Sequence, residues 1–196
     1  MYTWGYIKDC TLAKLDLDEM EANEQELLSR FPFFANEAMT QICSTVKPNH
    51  TFVEFVITKD LIGVPQSMPS DFISFGSDIN KRMFVNEYDE WIEEDCYENI
   101  FSYRGYNKIV FNRIGKYTIS YNARWFTFDK DLDNDAELDV PTDILDCLPS
   151  YIAHQCYKVD DETKAAIYRN EFEMMFARID DTYYKSTQSI KINGDW

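Results

Sequence analysis

Residues 161–180 read DETKAAIYRNEFEMMFARID and place Ala165, Tyr168, Phe172, Met175, Phe176 and Ile179 at spacings of three and four. That is one continuous apolar stripe, the pattern of a helix laid against a core. Asp161 and Glu162 gather before and in its first turn, where the helix dipole favours acids. The stripe needs partner surface, and the segment just before it supplies some. Behind Val140, Pro141 and Thr142 the helical period runs through Leu145, Leu148, Ile152, Cys156 and Val159, with Pro149 expected to bend it.

Toward the N-terminus, Leu27, Leu28, Phe31, Phe34, Ala38 and Ile42 carry the same period between about residues 16 and 46. Pro32 suits the first turn of a second helix there, so two short helices are expected, broken near residues 30–33. Between about residues 51 and 128 the pattern changes to short runs rich in Val, Ile, Phe, Tyr and Thr: 51–58, 83–85, 109–112 and 117–128. Gly63, Pro65, Pro69, Gly76, Gly105 and Gly115 punctuate them, and Tyr117, Ile119 and Tyr121 alternate with polar residues as in a half-buried strand. The expected fold class is therefore α+β. It is a bundle of N- and C-terminal helices (about 16–46 and 142–180) with a small antiparallel β region inserted at about 51–128, in one domain spanning 1–180. Residues 181–196 leave the helical pattern; Ile190 and Ile192 alternate with polar residues up to Trp196. This tail reads either as a loose end or as an extended C-terminal arm fitted to a sheet edge or groove on a partner, and the arm is the expectation taken forward.

The chain has 196 residues, 45% of them apolar, with 14 Phe, 13 Tyr and 4 Trp. This is not the composition of a disordered chain. No apolar run approaches the roughly 18 residues that span a bilayer, and the first ten residues lack a secretory pattern, so a chain kept in a cytoplasm is expected. Five scattered cysteines without a CxxC pair read as reduced thiols. A formal charge of −16 repels phosphate and argues against tight or sequence-specific nucleic-acid binding. Lining a channel, the same charge would let DNA slide past without sticking.

The local motifs resolve to modest readings. Asp129, Asp131, Asp133 and Asp135 alternate as in a calcium loop, but the sixth and twelfth positions hold no Gly or Glu in either register, and a solvated acidic loop is expected. His154 and Cys156, with Cys147 upstream, lie at spacings that do not face one another on a helix. Carboxylates around Trp91, namely Asp89, Glu90, Glu93, Glu94 and Asp95, carry little information by themselves. No Walker A, GxGxxG, GxSxG or HExxH sequence occurs. The sequence therefore assigns no catalytic, cofactor or metal residue, and a non-enzymatic role is expected.

Residues 138–157, LDVPTDILDCLPSYIAHQCY, have an acid-rich lead and a Leu-Pro pair opening a helix with Ala153 and Gln155 on it. They resemble the penultimate helix of head-to-tail adaptor (connector) proteins of tailed bacteriophages. Lys164, Ala165, Tyr168, Arg169, Asn170, Glu171, Phe172, Glu173 and Met174 are similar to the final helix of that family, and the stretch around Leu27, Arg30, Phe31, Asn36 and Ala38 looks like its opening helix. The resemblance implies a structural protein of the virion neck, made in the host cytoplasm. It would form a ring, commonly of twelve copies, docked on the portal protein and facing tail or nozzle proteins, with DNA passing through and no membrane. It places the portal interface on the tail, at Tyr183, Tyr184, Ile190, Lys191, Ile192 and Trp196. Two other readings stand beside it: a different neck or tail-completion protein, and a glycan-binding module built on Trp91 with Asp89 and Glu93.

Overall fold

The computed structural model describes residues 2–18, 20–21, 26–76, 79–86, 88, 90–96 and 100–186, with side chains in the last helix as far as Ile179. The chain divides into two compact units, one formed by Met1–Lys47 and Trp125–Trp196 and the other by Pro48–Arg124.

Among the described residues the first unit holds four helices of ten or more residues, α1 (Trp4–Leu15), α2 (Phe31–Thr45), α3 (Leu148–Tyr157) and α4 (Glu162–Ser186), and a single helical turn at Thr142–Leu145. Helix α1 starts where Thr3 accepts the Tyr6 N–H on its hydroxyl and stops at Asp16, which is left-handed at φ 59°. Its first free N–H groups are met by the Asp-rich loop: Trp4 donates to the Ala136 carbonyl (3.1 Å) and Gly5 to that of Asn134 (2.8 Å). A Cβ on Gly5 would stand 3.0 Å from that second oxygen, a tight contact that favours glycine. Helix α3 packs against α1, α2 and α4. This is why residues 148–153 are all buried, with no polar face of their own. On α4 the stripe read from the sequence is the packed face: Ala165, Phe172 and Ile179 are buried, and the Phe172 ring meets Tyr151 of α3 at 4.9 Å.

The second unit holds eight strands among the described residues: β1 (Asn49–Ile57), β2 (Gln66–Ser67), β3 (Phe72–Phe75), β4 (Asn80–Val85), β5 (Trp91–Cys96), β6 (Phe101–Tyr103), β7 (Lys108–Phe111) and β8 (Gly115–Ala123). All pair antiparallel. One sheet runs β1-β8-β4-β5, with β3 also on β8; the other runs β2-β7-β6. Their inner faces share one core that includes Ile57, Phe72, Phe101, Ile109, Phe111, Tyr117 and Ile119. Rings join the sheets directly, Phe55 to Phe111 at 5.3 Å and Phe111 to Tyr117 at 4.3 Å.

These elements correct the expected fold class. The described residues form a mixed structure with an N-terminal helical region and a strand-rich middle of two sheets, not the expected helical bundle with a small β appendage. The middle segment buries enough apolar surface to own a core, which a small inserted region would not. The extended arm expected from residue 181 is also displaced, because α4 continues to Ser186 and takes Tyr183 and Tyr184 into its backbone. No Gly or Pro occurs between residues 180 and 192 to stop it, and the weak helix preference of Thr and Tyr costs only tenths of a kcal/mol per residue. Pro149 likewise does not bend a long helix. It sits in the first turn of α3, after a separate four-residue turn at Thr142–Leu145.

Candidate functional site

Strand alternation gives the five-stranded sheet an outer face opposite its core. On β1 that face carries Phe52, Glu54 and Val56; across β8 their partners are Ser120, Thr118 and Lys116. On β4 and β5 it carries Lys81, Met83 and Val85 paired with Asp95, Glu93 and Trp91. Phe52 (55%), Val56 (65%) and Trp91 (67%) remain largely exposed. Val85 lies directly opposite Trp91, and Lys116 stands between Val56 and Met83, so these apolar side chains share one face with charged residues set among them. Single exposed apolar residues need no explanation, whereas several gathered on one face make that face a candidate interaction surface.

The charges on this face are matched. Glu54 pairs with Lys116 at 2.7 Å, and Lys81 reaches Asp95 at 2.8 Å and Glu93 at 3.1 Å. The Asp95 and Glu93 carboxylates hold the Lys81 ammonium above the usual lysine range. On a chain of net charge −16, each acid of this strip has a lysine within salt-bridge distance. A protein surface can therefore approach it with less repulsion than the overall charge suggests.

Under the face, the sheet is held by two polar inserts. Arg82 (5% exposed) sends its guanidinium inward, donating to the Ile114 carbonyl from Nε (2.9 Å) and Nη2 (2.6 Å) and to Glu94 from Nη1. At the seam where β4 leaves β8 and β3 joins it, the Asn80 carboxamide oxygen accepts the Ser120 N–H at 2.8 Å, and the Gly76 N–H donates to the Ser120 carbonyl at 3.0 Å.

The helical unit has a cleft of about 450 Å³ lined by Tyr2, Ile7, Cys10, Lys14, Asp146 and Met175, among others. Its polar groups answer one another. Tyr2 donates to Asp146 Oδ1 at 2.5 Å, a bond that, with burial, pushes the phenol up to about 12, and Lys14 is clamped by Glu171 at 2.8 and 2.9 Å.

The residues singled out in the sequence fall as follows. Tyr183 and Tyr184 are in the last turns of α4, and Ile190, Lys191, Ile192 and Trp196 lie outside the described residues. The Asp-rich loop is structural, folding through an Asp133 side-chain turn onto the start of α1. His154 Nδ1 lies 2.9 Å from the Ala165 carbonyl, joining α3 to α4, so that nitrogen carries the proton. Burial pushes the Cys147 and Cys156 thiols up to about 12 and Cys96 to about 11, far from a thiolate at neutral pH. Among the described residues no group of His, Cys, Asp and Glu is placed to hold a metal. No helix among the described residues is long and apolar enough to cross a membrane. Trp91 and Glu93 do share a face, while Asp89 lies outside the described residues. Both Glu93 and Asp95 turn to one lysine instead of confronting each other across a cleft. The sheet face itself was not legible as a site, because its residues are scattered over four strands; the alternation of Phe52, Glu54 and Val56 was the available signal. No protein-family model matches the chain, and no curated protein matches it in sequence.

Proposed function

We propose that this chain is a non-enzymatic structural subunit of the neck of a tailed bacteriophage, a head-to-tail adaptor assembling as a ring between portal and tail. The observation that carries the reading is the exposed apolar strip of Phe52, Val56, Met83, Val85 and Trp91, on which charges are already matched. A surface of this kind suits protein partners better than a small substrate. The resemblance of residues 138–180 to the last two helices of adaptor proteins supports the same reading. The acidic balance suits a lumen that DNA must traverse without binding. The segment beyond Ser186, with Ile190, Ile192 and Trp196, is proposed as the portal grip, a buried Trp being worth about 2 kcal/mol or more at an interface.

The test is affinity capture from the source lysate with the full chain and with a version ending at Ser186, read by mass spectrometry and negative-stain imaging. Portal protein and ring-shaped particles recovered by the full chain and lost with the shortened one are the expected result. Capture of no virion protein by either bait would overturn the reading. A glycan array probed with wild type and Trp91→Ala addresses the other use of the exposed indole, and sugar binding lost in the variant would replace the neck assignment.

A further inference from the structure

Both edges of the five-stranded sheet end in a strand with one partner: among the described residues β1 pairs with β8 and β5 with β4. The path β1-β8-β4-β5 contains four strands, each antiparallel to the next, so the two edges run in opposite directions. Copies set side by side in one orientation therefore bring β5 of one against β1 of the next as an antiparallel pair. Such a contact is heterologous, the kind that closes a ring.

The main-chain geometry fixes which residues face each edge. Ser120 directs its N–H to Asn80 and receives the Gly76 N–H on its carbonyl, both away from β1. Phe52, opposite Ser120, is therefore not hydrogen-bonded to it and turns its own N–H and C=O to the free edge. By alternation Glu54 and Val56 do the same. Thr118 shares the direction of Ser120, so Lys81 opposite it bonds toward β8, and Arg82 and Phe84 bond toward β5. Trp91, Glu93 and Asp95 are left facing outward.

Charge and proline then select one register. Placing Trp91, Glu93 and Asp95 opposite Glu54, Phe52 and His50 of the neighbour sets no two carboxylates face to face. Sliding two residues one way opposes Glu93 to Glu54, and like charges directly opposite destabilise a sheet. Sliding the other way opposes Asp95 to Pro48, which has no N–H to give. We propose that β5 of one copy pairs with β1 of a second copy, head to tail, with Glu93 opposite Phe52, joining neighbouring sheets into a belt. This inference rests on the ring reading above. The acids of β5 limit which strand it accepts, since charged edges resist indiscriminate pairing.

The test is the double variant Phe52→Cys/Glu93→Cys in the full chain, oxidised at increasing concentration and run on a non-reducing gel. Directly opposed hydrogen-bonded residues lie about 5.5 Å apart at Cα, within the range a disulfide spans. A covalent ladder extending past the dimer, absent from both single variants, is the expected result. Phe52→Pro removes an edge-facing N–H and no bond to β8, so its melting should stay near that of wild type while association weakens at least tenfold. If that variant fails to fold, the ladder decides. Wild-type rings without cross-linking in the double variant would refute this contact and leave the ring reading standing. Phe52→Cys alone cross-linking to a dimer and no further would mean that β1 meets β1, refuting the proposal. A wild-type chain that stays monomeric and gives no ladder at any concentration also overturns it, with lysate capture of the portal judging the ring reading separately.

Discussion

The carboxamide of Asn80 accepts the main-chain N–H of Ser120 at 2.8 Å and so completes a sheet that would otherwise be open at the seam between β3 and β4. Both residues are buried, which makes the bond costly to lose. Asn80→Ala should lower unfolding free energy by about 1–3 kcal/mol, because it removes the carboxamide oxygen that accepts the Ser120 N–H away from water. Gly76→Ala should cost a similar amount for a different reason, its Cβ falling 2.6 Å from Ser120 Oγ and 3.0 Å from Ser120 Cβ. Urea unfolding of each variant checks both values, and unchanged midpoints would show that the seam is not sealed by these two groups.

Arg82 is the second polar insert. Arg82→Ala should destabilise by about 3 kcal/mol, toward the lower end for a buried pair because Glu94 is partly in water. Arg82→Lys should recover little, since one ammonium cannot reproduce the guanidinium's two bonds to the Ile114 carbonyl along with the contact to Glu94. Combining Arg82→Met with Glu94→Leu should regain most of the loss, as an apolar pair of similar volume removes the stranded charge. Thermal melts of the three variants distinguish a structural arginine from a dispensable one.

High pH should unfold the protein through its buried tyrosines. Burial pushes Tyr117 and Tyr121 up to about 12, against an ordinary phenol near 10. Between those values the native state holds protons that the unfolded chain has released. Stability from these groups is thus fully present below about pH 10 and lost as pH rises through about 12. Tyr117→Phe should flatten this fall, and urea midpoints collected across that range would expose a dependence that is unchanged by the substitution.

The thiols of Cys96, Cys147 and Cys156 are all raised by burial, so the folded protein at neutral pH should resist iodoacetamide at these three positions. Peptide mass mapping before and after denaturation reads this directly. Rapid native labelling of Cys147 or Cys156 would show that these thiols are not shielded by burial.

What the sequence made legible followed from strong periodicity. The α4 stripe of Ala165, Phe172 and Ile179 is the packed face, and β1, β4, β7 and β8 each overlap a run rich in β-branched and aromatic residues. Elements whose pattern is blurred by tertiary context were missed. Helix α1 includes Gly5 and a buried Thr11 on its packed side, and its hydroxyl is satisfied within the helix at the Ile7 carbonyl. Strand β5 reads Trp-Ile-Glu-Glu-Asp-Cys, which looks like a solvated acidic cluster until Lys81 and Arg82 of β4 are set opposite its acids. The candidate site was less legible still. Its residues come from four strands, and only the pairing register shows that Val56, Met83, Val85 and Trp91 share a face.

The Trp125 indole N–H donates to the Lys47 carbonyl at 2.9 Å, pinning together the points where the chain departs for the sheets and returns from them. To the helices, the segment Pro48–Arg124 is a single closed loop, and doubling the length of a loop costs only about 0.6 kcal/mol. The β unit is in this sense a cassette: it can be lengthened, trimmed or exchanged at little thermodynamic cost to the scaffold that carries it. Surface chemistry on its strands is free to change with a partner while the helical unit keeps its own packing.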